Sequence, residues 1–444
     1  MSQRLNRATP SDEDIEAVAD VAREHSHPLT AAADLDPLVD AISDSQYVLL
    51  GEASHGTSEF YRWRARLTAR LLREHDFSFV AVEGDWTDCY DVNRYVRHMP
   101  DTGSDAATVL GDFDRWPTWM WANWEVVELI DWLREFNAEQ PASERAGFYG
   151  LDVYSLFESM TAVIDYLEEI DSEAVVRARD AYNCFEPYGE DAREYAQSTR
   201  LVPESCEDEV VEMLTSLREQ TPALGDDPED QFAAEQNALV AKNAEEYYRA
   251  MARADVNSWN VRDEHMVETL DRLLDHHGPD AKAIVWAHNT HIGDARATDM
   301  EDRGKVNVGQ LVRERNSADD VSVVGFGTHR GEVIAGNEWD APMERMQVPS
   351  ARQGSLGDVF HRANTNANDV FAFCDELAEP FAEPRGHRAI GVVYNPDREL
   401  GNYVPTVLPE RYDAFVHVEQ TTALHPLHIE PEDEKPPEAY PWGL

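Results

Sequence analysis

Short runs of apolar and β-branched residues alternate along the chain with longer amphipathic stretches. The runs are nearly continuous in apolar residues, which is typical of strands buried on both faces of a parallel sheet. Helical spacing of apolar residues follows several of the runs, as expected of βα units. We therefore predict an α/β fold with a mostly parallel central sheet flanked by helices, and strands at 47–51, 79–83, 147–151, 283–287, 321–325, 389–394 and 413–418.

The segment from about residue 155 to 277 has no comparable run and is rich in Glu, Ala, Arg and Leu. This composition predicts a series of helices inserted into the sheet domain. We expect the α/β domain to span residues 36–428. An acidic, helical extension would precede it at 1–35, and an acidic, Pro-rich tail would follow at 429–444.

The charge balance is extreme, with 38 Lys and Arg against 87 Asp and Glu and a net charge of −49. Such a surface is repelled by phosphate groups, so we expect neither nucleic acid nor an anionic membrane as a partner. Only four of the basic residues are Lys. This combination favours a protein adapted to molar salt, where the Debye length falls to about 3 Å. The alternative is an acidic protein that works at ordinary salt.

Cysteine usage and the N-terminus indicate the compartment. The four Cys are scattered without a CxxC pair, which argues against a zinc knuckle or a disulfide scaffold. The N-terminus is polar and has no apolar signal region, and no apolar stretch approaches the roughly 18 residues of a membrane span. We expect a cytoplasmic protein; the sequence carries no signal of its oligomeric state.

The first candidate site lies in the segment 51–57, GEASHGT, directly after a predicted strand. Ligands of parallel sheets bind outside the carboxyl ends of the strands. Gly51 and Gly56 relieve backbone crowding beside Glu52 and His55, and a tight turn would let both side chains face one crevice. A surface turn that merely carries a Glu and a His is the alternative.

Further polar residues follow other predicted strands. Glu83 and Asp152 end two apolar runs, and His288 and His291 lie three residues apart after another. A histidine titrates near neutral pH and can take and return a proton. Acids and imidazoles at several strand ends point to one catalytic crevice rather than to isolated turn residues.

Two arginines lie on apolar helical stripes. Arg64 shares its stripe with Phe60 and Leu67, and Arg262 shares one with Met266. A buried guanidinium is costly unless it meets an anion, so Arg64 would reach a carboxylate or substrate, or else extend to solvent. Arg262 would stabilise a developing oxyanion or form a salt bridge with a buried Asp.

The ordered set of motifs resembles the erythromycin esterase family over roughly residues 40–428. The resemblance rests on GEASHGT (51–57), VEGDW (82–86), YGLDVYSL (149–156), NVRDEHM (260–266), AHNTHIG (287–293), NVGQLVRER (307–315) and VVGFGTHRGEV (323–333). It implies an α/β domain with a deep cleft, one side of which the helical insertion would form.

The resemblance also implies roles for individual residues. His55 matches the general base and Glu52 its neighbouring carboxylate, while Glu83, Arg64, His288 and His291 match further active-site positions. We expect substrate contacts from Arg262, Asp85, Asp152 and Trp86. Hydrolysis in the family is metal-independent, so no cofactor is expected.

Our leading hypothesis is a hydrolase of ester or lactone bonds in a small-molecule substrate, linked through its family to macrolide antibiotics. Glu52 or Glu83 would orient His55, which would deprotonate a water, and His288 or His291 with an Arg would stabilise the oxyanion. No GxSxG nucleophile motif is present. The alternatives are a metal-dependent hydrolase with a divalent ion at His55, His288 and His291, and a non-catalytic protein that binds a small molecule or serves polysaccharide assembly.

Overall fold

The computed structural model describes residues 11–170, 173–188, 192–199, 205–220, 228–253, 257–373 and 375–428. The predicted tail at 429–444 lies outside the described residues. The strands of the described part are β1 His27–Pro28, β2 Tyr47–Leu50, β3 Phe79–Asp85, β4 Gly147–Asp152, β5 Ala283–Trp286, β6 Val321–Gly336, β7 Met343–Val348, β8 Asp369–Ala372, β9 Arg385–Arg388, β10 Tyr403–Thr406 and β11 Ala414–Thr421.

The central sheet is mostly parallel and has the strand order β1-β8-β11-β6-β2-β5-β3-β4, with β7 paired to β6. The six strands from β11 to β4 run parallel to one another, whereas β1, β7 and β8 are antiparallel additions. The carboxyl ends of β2, β3, β4 and β5 therefore lie at one edge. The predicted mostly parallel sheet is confirmed.

The helices of the described part are α1 Asp12–Glu24, α2 Asp36–Ile42, α3 Ser58–Glu74, α4 Trp86–Val96, α5 Ala106–Gly111, α6 Trp124–Ala138, α7 Leu156–Glu169, α8 Val175–Phe185, α9 Ala192–Thr199, α10 Glu207–Gln220, α11 Pro228–Ala252, α12 Asn257–His277, α13 Asn289–Ile292, α14 Val308–Arg315, α15 Leu356–Ala363, α16 Asp375–Ala378 and α17 Leu408–Arg411. The two sheet faces bury alternate strand residues, as the period of two requires. Val48 and Leu50 pack with α3 and α6, while Tyr47 and Leu49 pack with α12 and α14.

The run at 389–394, which the pattern predicts as a strand, is not one. It follows β9 as irregular chain and makes isolated bridges, such as Ile390 with Ser54. Ile390 and Tyr394 are buried in a small cluster with Val333 and Ala335 of β6. Their apolar character thus serves packing against the extended part of β6 rather than pairing within the central sheet.

The inserted region is helical throughout its described residues and forms a hydrophobic cluster of its own from α7 to α11. The last helix before the sheet resumes, α12, packs on the sheet through Met266, Leu270 and Leu273. A disulfide bond joins Cys184 to Cys206 within the insertion. The cysteine spacing argued against a disulfide scaffold, and it could not reveal this single bond because the two residues meet only through the packing of α8 beside the start of α10.

The N-terminal helix α1 begins with a capping box between Ser11 and Asp14. Its apolar face, Ile15, Ala19 and Ala22, is buried in the cluster that also contains residues of α15. In the part of the chain that the structure describes, no helix is both long enough and apolar enough to cross a membrane.

Candidate active site

A cleft of about 1170 Å³ lies between the carboxyl edge of the sheet and the helical insertion. Residues from α7, α9, α11 and α12 form one of its walls. The cleft is lined by seven of the residues that the sequence singles out, namely His55, Glu83, Asp85, Asp152, Arg262, His288 and His291. These side chains come from loops and strand ends that are far apart in sequence, so the fold brings them into one site.

The loop after β2 places Glu52 and His55 side by side. His55 donates from Nδ1 to Glu52 Oε1 at 2.9 Å, and both residues are buried. The loop is tightly packed: a Cβ on Gly51 would lie 2.1 Å from the Asn289 side-chain oxygen, and one on Gly56 would lie 1.9 Å from a backbone oxygen of β6. With Nδ1 engaged, the remaining nitrogen of His55, Nε2, is the one available for chemistry in the cleft.

Arg64 lies behind Glu52 and not in the cleft. Its guanidinium is fully buried, donates from Nη2 to Glu52 Oε2 at 2.6 Å, and lies 4.5 Å from the ring centroids of both Tyr61 and Trp286. The sequence left open whether Arg64 meets an anion or extends to solvent, and the structure shows a salt bridge with the Glu52 carboxylate. Arg64 therefore fixes the orientation of Glu52, which in turn holds His55.

His288 follows β5 and faces His55, with 4.9 Å between the ring centroids. Its Nδ1 accepts the backbone N–H of Thr290 at 3.3 Å and lies 2.8 Å from the Thr290 hydroxyl. Burial, together with the neighbouring His55, holds the pKa of His288 well below the usual value, so the ring is neutral. A neutral ring that accepts at Nδ1 carries its proton on Nε2, which is buried without a hydrogen-bond partner among the described residues.

Glu83, near the end of β3, connects His288 to Arg262 through hydrogen bonds. Its Oε2 accepts the backbone N–H of His288 at 2.8 Å, and its Oε1 accepts from Arg262 Nη2 at 2.8 Å. Burial would raise the pKa of Glu83, but the adjacent His291 and Arg262 outweigh it and hold the pKa well below the usual value. Glu83 is therefore an ionised anchor.

Arg262 of α12 is the centre of a buried ionic network. It donates from Nε and Nη2 to Asp152 at 2.9 and 2.5 Å, besides its bond to Glu83. Its Nη1 lies 3.0 Å from His291 Nε2, which also lies 3.3 Å from Glu83 Oε1, and His291 Nδ1 lies 2.9 Å from Asp263. Both nitrogens of His291 are thus engaged, and the guanidinium is shared among acids rather than left free.

His291 gives the network a pH dependence. Burial alone would lower its pKa, but Asp263 and Glu83 together raise it to about 9. A raised folded-state pKa stabilises the protein below the unfolded value of about 6.5, and this contribution is lost as the pH rises through 9. Between about pH 7.5 and 9 we expect the unfolding free energy to fall by roughly 2 kcal/mol, at about 1.4 kcal/mol per unit.

Denaturant unfolding at constant salt across this pH range measures the effect. The window begins above the raised pKa values of two cleft acids, Asp85 (about 6) and Asp88 (about 7), which have ionised by then. A His291→Gln variant should show a clearly flatter dependence. An equal decline in the variant and the wild type would mean that another group is responsible.

An acidic patch lies farther along the cleft. Arg115 donates to Asp85 at 2.6 Å and to Glu158 of α7 at 2.5 Å, which links the sheet side to the insertion. Burial raises the pKa of both Asp85 and Asp88, and each is a cleft residue. Trp86, by contrast, does not line the cleft: it is fully buried among Tyr90, Tyr149 and Phe232.

Comparison with known proteins supports the likeness noted from the motifs. The family model described as erythromycin esterase matches residues 72–421. The chain belongs to the erythromycin esterase family.

Solved structures show the same fold as this family member. One is described as a succinoglycan biosynthesis protein, with 20% identity and a TM-score of 0.78 over 94% of this chain and 100% of the other. A protein from Bacillus cereus gives the same identity and TM-score over 94% and 99% of the chains. A mutant of the erythromycin esterase EreC in its open conformation matches at 17% identity and a TM-score of 0.64, over 88% and 95%.

The sequence patterns did not point to several residues of this site. Asp263, Thr290 and Arg115 make the contacts described above, and Asp88 lines the cleft. Trp259 stacks on His291 with 4.5 Å between ring centroids and 8° between planes. Asp263 and Thr290 are adjacent in sequence to the predicted site residues Arg262 and His291, so their position in the sequence could have indicated them. Nothing in the sequence indicated Arg115.

His55 and His288 each use Nδ1 in a hydrogen bond, which leaves Nε2 of each ring as its possible ligand atom, whereas both nitrogens of His291 have partners. The Arg262 guanidinium, a cation, lies 3.0 Å from the one His291 nitrogen that a metal would need. Among the described residues, the cleft does not gather three ligand atoms within 4.8 Å of one another.

Proposed function

We propose that the protein hydrolyses ester or lactone bonds by direct attack of a water that His55 activates. The observation that carries this proposal is the Glu52–His55 pair facing the unpartnered Nε2 of His288 in the cleft. A base and a hydrogen-bond donor that converge on one place are the minimum that a tetrahedral acyl transition state requires.

His55 is the base. Glu52 accepts its Nδ1–H, which leaves a lone pair on Nε2 to take a proton from water. As that proton moves to Nε2, the water oxygen bonds to the carbonyl carbon. The resulting imidazolium lies beside the Glu52 carboxyl group. It then gives the proton to the oxygen of the leaving group as the bond between that oxygen and the carbonyl carbon breaks. The ring returns to its starting state.

His288 stabilises the oxyanion in this proposal. Its neutral ring carries a proton on Nε2 that makes no hydrogen bond among the described residues. His291 and Arg262 are less suited, because their donors are engaged by Asp263, Glu83 and Asp152. We assign them the task of holding Glu83, which fixes the His288 backbone.

A covalent serine intermediate is not part of the mechanism. Ser54, the serine next to His55, is hydrogen-bonded to Thr57 and does not line the cleft. This position supports direct attack by water.

The cleft suits a bulky substrate. Its volume exceeds the roughly 300–1,000 Å³ of most small-molecule pockets. Aromatic and apolar side chains such as Phe113, Trp116, Met120 and Trp121 lie along it, together with the acids Asp85 and Asp88. We propose macrolactones and other large apolar esters as the substrate class, with lactone antibiotics among them.

We also propose that the protein works in the cytoplasm at high salt concentration. The net charge of −49 and the low share of Lys support this adaptation, because screening at molar salt removes the self-repulsion of an acidic surface. Assays are accordingly best run in concentrated potassium chloride.

The test is a hydrolysis panel of aryl esters and macrolactones at high salt, with and without a chelator. We expect turnover of at least one bulky ester and no effect of the chelator. Loss of activity with the chelator in protein that remains folded would support the metal-dependent alternative. Stabilisation of the protein by several compounds without any turnover would favour a binding protein.

A further inference from the structure

A second group of histidines lies away from the cleft. It consists of His329 on β6, His361 on α15, and His417 and Glu419 on β11, and we call it the distal histidine cluster. None of these four residues lines the cleft. Because β6 and β11 are neighbouring parallel strands and α15 covers them, the fold itself brings the four side chains together.

Three members of the cluster are close enough to share an ion. His329, His361 and Glu419 each offer a ligand atom, and these atoms lie within 4.8 Å of one another. The rings of His329 and His361 are stacked, with 3.9 Å between centroids and 9° between planes. His361 Nδ1 lies 2.9 and 3.0 Å from the two carboxylate oxygens of Glu419.

Several polar atoms of the cluster are buried without a hydrogen-bond partner among the described residues. These are Nδ1 of His329 and both ring nitrogens of His417. His417 is fully buried, and its Nε2 lies 3.6 Å from Glu419 Oε2, beyond a normal hydrogen bond. Buried polar atoms are rarely left unpaired, so unpaired imidazole nitrogens beside a buried carboxylate point to a ligand that completes the group.

A core group held together by hydrogen bonds alone is the alternative, and the contacts of His329 and His417 argue against it. The His361–Glu419 bond satisfies one ring, but it leaves Nδ1 of His329 without a hydrogen bond among the described residues and His417 with a carboxylate contact of 3.6 Å. Asp369 of β8 is paired with His417 in the sheet register, and its Oδ2 is also unpartnered. Nδ1 of His329, both ring nitrogens of His417 and Oδ2 of Asp369 thus make no hydrogen bond among the described residues.

We propose that the distal histidine cluster binds one divalent transition-metal ion through His329, His361 and Glu419, with His417 as a further ligand or support. Two imidazole nitrogens and one carboxylate oxygen suit Zn²⁺, Co²⁺ or Ni²⁺. Mg²⁺ and Ca²⁺ prefer sites made entirely of oxygen atoms.

The site would be structural. An ion there would join α15 to β6 and β11, and it does not depend on the reaction proposed for the cleft. The His361 side chain is 27% exposed, which gives an ion access from solvent.

The test is Co²⁺ binding to the full chain after removal of metal by chelator dialysis, followed by absorbance and by metal analysis after equilibrium dialysis. We expect one bound Co²⁺ per chain. Binding should weaken at least about 10-fold in His361→Gln and in His329→Gln. His361 is partly exposed, so His361→Gln decides the question even if the other variant fails to fold.

Two further variants distinguish the distal histidine cluster from histidines elsewhere in the chain. His425→Gln removes a histidine that pairs with Glu125 at 2.7 Å outside the cluster, and it should bind Co²⁺ as the wild type does. His288→Gln alters the cleft and should also retain the ion. Added Co²⁺ should raise the melting temperature of the wild type but not of His361→Gln.

Three results would overturn the proposal. The first is a wild-type chain that retains no Co²⁺ or Zn²⁺ on dialysis. The second is unchanged binding in both cluster variants. The third is binding that only His288→Gln abolishes, which would place the ion in the cleft.

Discussion

Replacement of His55 by Ala is expected to lower kcat for ester hydrolysis by about 10²–10⁴-fold, the usual contribution of a positioned general base. The variant keeps Glu52 and Arg64, whose salt bridge at 2.6 Å is independent of the imidazole. The walls of the cleft are also unchanged, so KM should change little. A loss confined to kcat indicates an interaction made only in the transition state.

Steady-state kinetics on the best ester of the panel provide the measurement. His27→Ala is a suitable control, because His27 is exposed on β1 at the far edge of the sheet. The control should have wild-type kcat and KM. Wild-type activity in His55→Ala would refute the assignment of the base.

Replacement of Arg262 by Met is expected to destabilise the fold by about 3–5 kcal/mol, which is typical when one partner of a buried ion pair is removed. Arg262 donates to Asp152 and Glu83, and its Nη1 lies beside His291. Without the guanidinium, the two carboxylates keep their burial and lose their main counter-charge. High salt does not rescue such a loss, because buried pairs are screened little.

Unfolding by guanidinium chloride at a fixed total salt concentration measures this difference. Arg315→Met is the matched control: Arg315 pairs with Asp271 at 2.7 Å, but both side chains are about 40% exposed. That substitution should cost less than about 1 kcal/mol. Equal effects of the two substitutions would contradict the view that Arg262 compensates buried acids.

Much of the sheet and of the cleft floor follows from local patterns. The apolar runs that become β2, β3, β4 and β5 are continuous because both sheet faces are covered. Polar residues directly after those strands must then lie at one edge. The shared edge gathers Glu52, His55, Glu83 and His288, and α12 adds Arg262 to them.

The individual partnerships could not be predicted, because they depend on side-chain rotamers and long-range packing. The sequence left open whether Glu52 or Glu83 holds His55, and the structure pairs His55 with Glu52 at 2.9 Å. The bond of Asp263 to His291 joins α12 to α13 across 28 positions of the sequence. Such a contact exists only once α12 has packed on the sheet.

One wrong strand prediction and the unexpected position of Trp86 have a common physical origin. Trp86 follows a strand that ends in the cleft, yet α4 turns its indole into the core beside Tyr149. The apolar run at 389–394 covers β6 rather than joining the sheet. In both cases the residue types suit the predicted role. The path of the backbone, which a local pattern does not reveal, places the side chains elsewhere.

The central claim is that the imidazole of His55 takes the proton from the attacking water. The most direct measurement is chemical rescue of His55→Ala by added imidazole and its methylated derivatives, at fixed pH and high salt. We predict that hydrolysis by the variant rises with imidazole concentration and increases with the basicity of the added base. A variant that imidazole does not rescue at any concentration while remaining folded, or one that needs no rescue, would contradict the claim.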